Sequence, residues 1–392
     1  MIIIGADVCK SSVVFCCLDT ENPPTDYGEY YRNGDNFQTA EANVQGLKKI
    51  LECKAAVIAL EPTGNNYSRL WVEKLGAAGM KVALVGHSEC KSYRKILALP
   101  DKDDSADALT LGYYYLLNQA NPRRFVIQRD EVTYQLRGRI LRLQHLSRIQ
   151  TMISNRLKQD LAYCFPERQD TGLNAPLFWG WLAGERLSIK YDNELAATAG
   201  LGLTDDVRIA AKTLYMQMQR ERDVQAELKA LLDHPQFRPY RAVLARYGMG
   251  ARVQSMLISQ LYPIENFLNA DGSVIVERSR GRISKKNTLK HLSERRVLKM
   301  LGLAPTREQS GTSIDNTKKA GSNLCRDAMW QWAFTRIEPN TRRLQGDLGD
   351  ILKAKHDELK ASHPTKLARS KFMAYAARRV FYDLVAEIAQ KD

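Results

Sequence analysis

The first 120 residues constrain the chain most, because short apolar runs of strand type alternate there with stretches of helical period. Residues 2–9 (IIIGADVC) and 12–19 (SVVFCCLD) are two β-type runs parted by Lys10-Ser11. A third extended piece is expected near Asp26–Arg32. Residues 39–52 carry a helical pattern with Ala42, Leu47, Ile50 and Leu51 on one side. AAVIAL (55–60) is a short continuous apolar run of the buried-strand kind, stopped by Glu61-Pro62-Thr63-Gly64. A helix over 66–78, a buried strand KVALVG (81–86) and helices over 88–98 and 104–118 complete the segment.

The order β-β-β-α-β-α-β-α is that of an RNase H-like α/β fold, in which a hairpin-led sheet continues into parallel strands joined by helices. Carboxylates fall at particular places in that order. Asp7 lies in the first apolar run, and Glu61 follows a buried strand at its carboxyl end. Asp104 and Asp107, three residues apart, share one face of a helix. Open α/β sheets build their sites beyond the carboxyl ends of their strands. Four carboxylates meeting there suit hard divalent cations, most naturally Mg²⁺, and two such ions clamp the attacking and leaving oxygens of a phosphodiester. Each acid also has a plainer reading: a strand or turn Asp, a Glu that ends a strand before Pro, or an N-cap or first-turn Asp at 103 or 104. The cluster DKDDSAD (101–107) leaves Asp101 and Asp103 as alternatives to Asp104. Their joint placement in this order favours the metal reading.

The chain has 392 residues, enough for two or three domains. Its net charge of +14 is unevenly spread. Residues 1–120 carry 12 Lys and Arg against 15 Asp and Glu, whereas the remainder carries 46 against 29, a net of −3 followed by +17. A basic body of this size points to a polyanion, usually nucleic acid. The seven cysteines are scattered with no CxxC pair, which supports neither a disulfide framework nor a zinc site. No apolar run approaches the roughly 18 residues of a membrane span, and the start Met-Ile-Ile-Ile-Gly-Ala-Asp lacks a basic leader. The expectation is therefore no membrane partner and a cytoplasmic location.

Residues 131–160 show a long stripe of Leu136, Ile140, Leu143, Leu146, Ile149, Ile153 and Leu157, whose steps of three and four suit a coiled-coil seam. A second helical stretch near 206–233 offers Leu214, Met218, Gln225, Leu228 and Leu232, and the two can pair within the chain or between chains. Further on, Gly248-Met249-Gly250 joins two apolar helical patterns and resembles a helix-hairpin-helix turn, whose backbone N–H groups can hold phosphate. The segment 271–296 is strongly basic, with Arg278, Arg280, Arg282, Lys285 and Lys286 among its cations and SVIV (273–276) as a possible strand. It is expected to form a nucleic-acid-contacting hairpin. Ser310-Gly311 lies in a polar loop, followed by Lys318 and Lys319 before a helix holding Leu324, Met329, Trp330 and Ala333. A serine in such a loop is more often a turn residue than a nucleophile.

At these residues the chain resembles the DEDD transposases of the bridge-RNA-guided insertion-sequence family, the bridge recombinases, to which the pilin-gene DNA invertases are similar. The matching stretches are GADVCKSS around Asp7, ALEPTGNNY around Glu61, and KDDSADALTLG around Asp104 and Asp107. The last supports Asp104 and Asp107 over Asp101 and Asp103. YGMGARVQSMLISQL, LGLAPTREQSG and KKAGSN resemble the family's rear motifs, in the family's order. Tyr247-Gly248-Met249-Gly250 departs from the usual Pro-Gly-Ile-Gly, and the basic insert 271–296 and the basic tail beyond 340 are departures too.

The resemblance implies a RuvC-like domain over 1–120 and a C-terminal transposase domain over 236–345, on either side of the helical coiled-coil region expected over 121–235, and a basic helical tail over 346–392 is expected beyond them. It implies that Ser310 attacks a DNA phosphodiester to give a phosphoserine link, and that Asp7, Glu61, Asp104 and Asp107 hold Mg²⁺ near the scissile phosphate. It also implies a structured noncoding guide RNA that pairs with donor and target DNA. A homo-oligomer, dimer or tetramer, would form the synapse in a prokaryotic, nucleoid-associated setting. Gly248, Gly250, Arg278, Arg280, Arg282, Lys285, Lys286, Lys318 and Lys319 are the expected nucleic-acid contacts. The competing expectations are an RNA-independent invertase with the same residues, a structure-specific nuclease using only the front domain, and a non-catalytic binder.

Overall fold

Five strands form the sheet of the N-terminal unit, β1 (Ile2–Val8), β2 (Ser12–Asp19), β3 (Phe37–Glu41), β4 (Val57–Leu60) and β5 (Lys81–Leu84). This computed structural model describes all residues except 64–65, 281–284, 306–307, 311–312, 316–319, 342 and 391–392, and only the backbone of 308–310 and 313–315. The chain divides into two compact units, Met1–Gln128 and Arg129–Asp392.

In the first unit the strand order is β3-β2-β1-β4-β5. β1–β2 and β2–β3 are antiparallel, and β1–β4 and β4–β5 are parallel. That mixed order fits the RNase H-like expectation. The helices are α1 (Tyr27–Arg32), α2 (Val44–Glu52), α3 (Tyr67–Ala77), α4 (His87–Ile96) and α5 (Asp104–Asn118). Alternation along the strands assigns the two faces. Ile4, Ala6, Val8, Ile58 and Leu60 pack with Ile50 of α2 and with Trp71 and Leu75 of α3. Ile3, Val57 and Ala59 pack with Leu109 and Tyr115 of α5. A Cβ on Gly5 would lie 2.1 Å from the Ala108 carbonyl oxygen and 2.5 Å from the Gly112 nitrogen, so only glycine lets α5 lie this close to β1.

Two sequence expectations are corrected here. Tyr27–Arg32 is a helix, not a strand, because Asp26 caps it by accepting from the N–H groups of Gly28 at 2.7 Å and Glu29 at 2.9 Å. The third strand is β3, part of which the helical pattern over 39–52 had claimed. The helix itself starts after Asn43, whose side chain accepts from the Gly46 N–H at 2.9 Å.

The second unit is mainly helical. α6 (Glu131–Cys164), α7 (Pro176–Leu182), α8 (Ile189–Ala196) and α9 (Asp205–Leu232) come first. α6 and α9 run antiparallel within the chain. Leu136, Ile140, Leu143 and Leu146 meet Val224, Leu228 and Leu232 at one end, and Leu157 and Leu161 meet Val207, Ala211 and Leu214 at the other. Between these clusters the buried positions are Gln150 and Ser154 rather than Ile149 and Ile153, which are half-buried. Gln150 Nε2 donates to Glu221 Oε2 at 2.8 Å and to the Gln217 carbonyl at 3.2 Å, so the polar layer is satisfied. Gln225, expected in the seam, is exposed, and Val224 takes its place.

The remaining helices are α10 (Arg238–Arg246), α11 (Ala251–Leu261), α12 (Leu292–Met300), α13 (Asn323–Arg336), α14 (Asp347–Ser362) and α15 (Thr365–Ala389). Trp332 of α13 donates its indole N–H to the Tyr247 carbonyl at 2.8 Å, and the Tyr247 hydroxyl donates to Asp383 of α15 at 2.7 Å. The last helix thus shares one core with α10–α13, through Phe372, Ala376, Val380 and Phe381. Two ribbons complete the unit, β6 (Val276–Arg280) with β7 (Asn287–His291), and β8 (Glu308–Ser310) with β9 (Ser313–Asp315). The strand expected at 273–276 begins only at Val276, because Ile275 is buried as the root of the first ribbon.

Candidate active site and nucleic-acid surface

Strand register sets the acidic site. Gly5 pairs with Ala59 and Ala6 with Leu60, so Asp7 and Glu61 follow side by side at the carboxyl ends of adjacent parallel strands. Both continue the side-chain alternation of Ile3, Gly5, Val57 and Ala59, the face that α5 covers. The close Gly5–Gly112 approach then brings the start of α5 to Asp7.

Within DKDDSAD, capping distinguishes Asp103 from Asp104. Asp103 is the N-cap of α5: its Oδ1 accepts from the Ala106 N–H at 2.7 Å and its Oδ2 from the Tyr31 hydroxyl at 2.5 Å. Asp104, the first helical residue, is thereby turned toward Asp7. Ligand atoms of Asp7, Cys9 and Asp104 all lie within 4.8 Å of one another. Cys9 Sγ donates to Asp104 Oδ2 at 3.0 Å.

The other two expected acids are near but engaged elsewhere. Glu61 is ion-paired with His87 Nδ1 at the start of α4, and Asp107 with Arg94 Nη1 further along the same helix. The structure therefore brings Asp7 and Asp104 together and gives Glu61 an imidazole partner and Asp107 a guanidinium partner from α4. One acid was expected on each of two strands and two on the helix face. Like charges so close require compensation, and α4 supplies it.

The electrostatics are those of a partly buried acid cluster. Burial, reinforced by the charges of Asp104 and Asp107, pushes the Asp7 carboxyl up to about 6. Burial and the hydrogen bond to Asp104 push the Cys9 thiol up to about 12, so it is a protonated donor at neutral pH. A carboxyl that holds its proton this tightly beside a second carboxylate is suited to exchange that proton for a divalent cation, and the oxygen donors fit a hard ion. Sequence reasoning missed Cys9, His87 and Arg94. Cys9 is two residues after Asp7, which places it on the same side, but nothing in a single sequence links α4 to these acids.

In the second unit, Ser310 is the last residue of β8 and pairs with Ser313 across the ribbon. Its side chain lies outside the described residues, as do Arg282, Lys318 and Lys319. Arg278, Arg280, Lys285 and Lys286 are exposed on or beside β6–β7. Gly248, at φ +65°, ends α10, and its N–H donates to the Ala245 carbonyl at 2.8 Å. Gly250 is the N-cap of α11, and no side chain caps that helix. The donors available to phosphate in this turn are therefore those at the start of α11 rather than the Gly248 N–H.

Two family models match the chain. Residues 4–166 match a DEDD transposase model of the IS110 type, described as Transposase. Residues 278–345 match a model described as Transposase IS116/IS110/IS902 family. The first match covers the sheet from within β1, all four acids and the whole of α6, and the second runs from within β6 past α13 and includes Ser310. No curated protein matches the sequence. No helix among the described residues is long and apolar enough to cross a membrane.

Proposed function

We propose, on the premise that the chain carries transposase domains of the IS110 family and is an enzyme acting on DNA, that it recombines an insertion sequence through Ser310 and the acidic cluster. The observation that carries this reading is the convergence of Asp7 and Asp104.

Ser310 Oγ attacks a DNA phosphorus. An Oγ–P bond forms, the P–O bond to the departing sugar oxygen breaks, and the serine proton passes to solvent while the departing oxygen is protonated. The phosphodiester is kept as a phosphoserine, so rejoining needs no outside source of energy. Asp7 and Asp104, with Glu61 and Asp107 completing the set, would hold Mg²⁺, which would supply charge neutralisation for the phosphate. As members of that set Glu61 and Asp107 would no longer be paired with His87 and Arg94, and the Arg94 guanidinium would then be available to an anionic substrate. As a ligand Asp7 would be in its deprotonated form.

A structured guide RNA pairing with donor and target DNA is part of the proposal. It rests on the resemblance in the motifs and on the net +17 of the residues after 120. Gly248, Gly250, Arg278, Arg280, Arg282, Lys285, Lys286, Lys318 and Lys319 are the proposed contacts, in a homodimeric or tetrameric synapse near the nucleoid.

The test is an element-bearing plasmid in cells together with sequencing of RNA that copurifies with the protein. Recombination through Ser310 predicts that Ser310→Ala removes strand exchange and any covalent protein–DNA adduct. A discrete RNA partly matching the element's flanks supports guidance, and random fragments alone speak for an RNA-independent invertase. Metal-dependent cleavage that survives Ser310→Ala would replace the proposal with a nuclease confined to the first unit, a reading favoured by the acidic cluster lying wholly within Met1–Gln128.

A further inference from the structure

The β6–β7 ribbon has two unlike faces. Residues directly opposite in an antiparallel pair share a face. Val276, Arg278 and Arg280 lie opposite His291, Leu289 and Asn287. All six are exposed, and the two apolar members strongly so, Val276 at 44% and Leu289 at 56%. Arg280 Nε donates to the Lys285 carbonyl at 2.9 Å, which holds that guanidinium near the ribbon's tip. Arg278 has no hydrogen-bond or ion-pair partner among the described residues.

The other face closes on itself. Glu277 lies opposite Lys290 and Ser279 opposite Thr288. Thr288 Oγ1 donates to the Ser279 carbonyl at 3.0 Å, and the two hydroxyls are 3.3 Å apart. The ribbon is also rooted. Ile275 is buried, its N–H donates to Ser293 Oγ at 2.9 Å, and Ser293 Oγ donates on to the Phe267 carbonyl. The Leu292 N–H returns to the Ile275 carbonyl at 2.9 Å. A fixed base with an open, cationic and partly apolar face is a presented surface rather than a solvated loop.

We propose, resting on the DNA-acting reading above, that the Arg278–Arg280–Asn287–Leu289 face enters the major groove of duplex DNA. A two-stranded ribbon fits that groove, which is about 12 Å wide in B-form DNA. The side-chain set matches what the groove displays: arginine forks for guanine O6 and N7, an amide for adenine N6 and N7, and an aliphatic group for the thymine methyl. Charge complementarity supports the same partner, since the hairpin's described residues carry five cations, Arg278, Arg280, Lys285, Lys286 and Lys290, and one acid, Glu277. Duplex RNA is the poorer fit, because its major groove is deep and too narrow for side chains to read.

The test uses the full, RNA-free chain and fluorescence anisotropy. The probes are a mixed-sequence DNA duplex of about 30 base pairs and the RNA duplex of the same sequence. Wild-type binding to DNA is expected to be competed by methyl green, which occupies the major groove, and not by netropsin, which occupies the minor groove. Arg278→Ala/Arg280→Ala is expected to weaken DNA-duplex binding at least tenfold. Binding to duplex RNA is expected to stay unchanged, and Lys290→Ala on the closed face to cost less than threefold. Both arginines are exposed, and an unchanged circular dichroism melt verifies folding. Wild-type DNA affinity in the double variant, equal losses on DNA and RNA, or competition by netropsin would each overturn the inference. Such a result with strand exchange intact sinks the groove assignment alone, whereas a wild-type chain that binds no duplex DNA and exchanges no strands sinks the underlying reading as well.

Discussion

The two units hold their candidate chemistry in opposite ways. In Met1–Gln128 the acids sit at the ends of buried strands and at the first turn of a packed helix, so register and a glycine contact fix them. In Arg129–Asp392 the serine backbone and the exposed arginines sit on two-stranded ribbons outside the helical core. Geometry dominates the first arrangement, because a cation is held only by ligands placed to within fractions of an ångström. Reach and charge dominate the second, because phosphate attraction tolerates variation in position. The charge difference, −3 before residue 120 and +17 after it, follows the same division.

The largest expected effect strikes both sides of this comparison at once. Asp7→Asn and Ser310→Ala are each expected to lower recombination of a plasmid-borne element by about a thousandfold or more, the scale seen when one member of a catalytic set is lost. If only Asp7→Asn does so, the comparison breaks, and the first unit alone performs the chemistry.

Next in size is the contact that carries α5 onto the sheet. Gly5→Val would drive side-chain carbons into the Ala108 carbonyl and the Gly112 backbone. It is expected to cost about 3 kcal/mol in urea unfolding and to displace Asp104 from Asp7. A loss well under 1 kcal/mol would mean the approach is not what fixes the site.

The helical unit offers a sharper pair. Val224→Ala, at a fully buried seam position, is expected to cost about 2 kcal/mol, and Gln225→Ala, exposed beside it, less than about 0.5 kcal/mol. Equal costs would restore the seam that periodicity suggests.

A smaller effect has a definite sign. In the folded chain the Asp7 carboxyl is raised from 3.8 to about 6. Below 3.8 both folded and unfolded chains hold the proton, and between 3.8 and about 6 only the folded chain does. The stability this group contributes is therefore lost as pH rises through about 6. In metal-free protein, Asp7→Asn should raise Tm by a few degrees at pH 7–8, with the gain fading toward pH 4. A variant that melts below wild type at pH 8 would contradict the sign.

Much of the first unit is legible in sequence, since buried strands announce themselves as apolar runs and α5 begins at Asp104, where the pattern places it. The failures are instructive. Tyr27–Arg32 looks extended by composition, yet the Asp26 cap decides for helix. Gln225 fits a regular spacing, but the seam drifts to Val224 because a straight helix does not keep a strict repeat. The pairs Glu61–His87 and Asp107–Arg94 depend on how α4 lies over the sheet, which no local pattern encodes. Capping could have chosen Asp104 over Asp103 in advance, because a residue that closes a helix end has its oxygens spent.

The central claim of the proposal is that Asp7 and Asp104, rather than Asp101 and Asp103, anchor a divalent-cation site. Titration of the full-length protein with Mn²⁺, followed by electron paramagnetic resonance with Mg²⁺ as competitor at pH 7.5, tests it without any knowledge of the DNA sequence used. Wild-type protein should bind Mn²⁺ in competition with Mg²⁺. Asp7→Asn and Asp104→Asn should each weaken binding at least tenfold, and Asp101→Asn and Asp103→Asn should leave it within about twofold. Binding that persists in Asp7→Asn, or that falls equally in Asp101→Asn, would contradict the account.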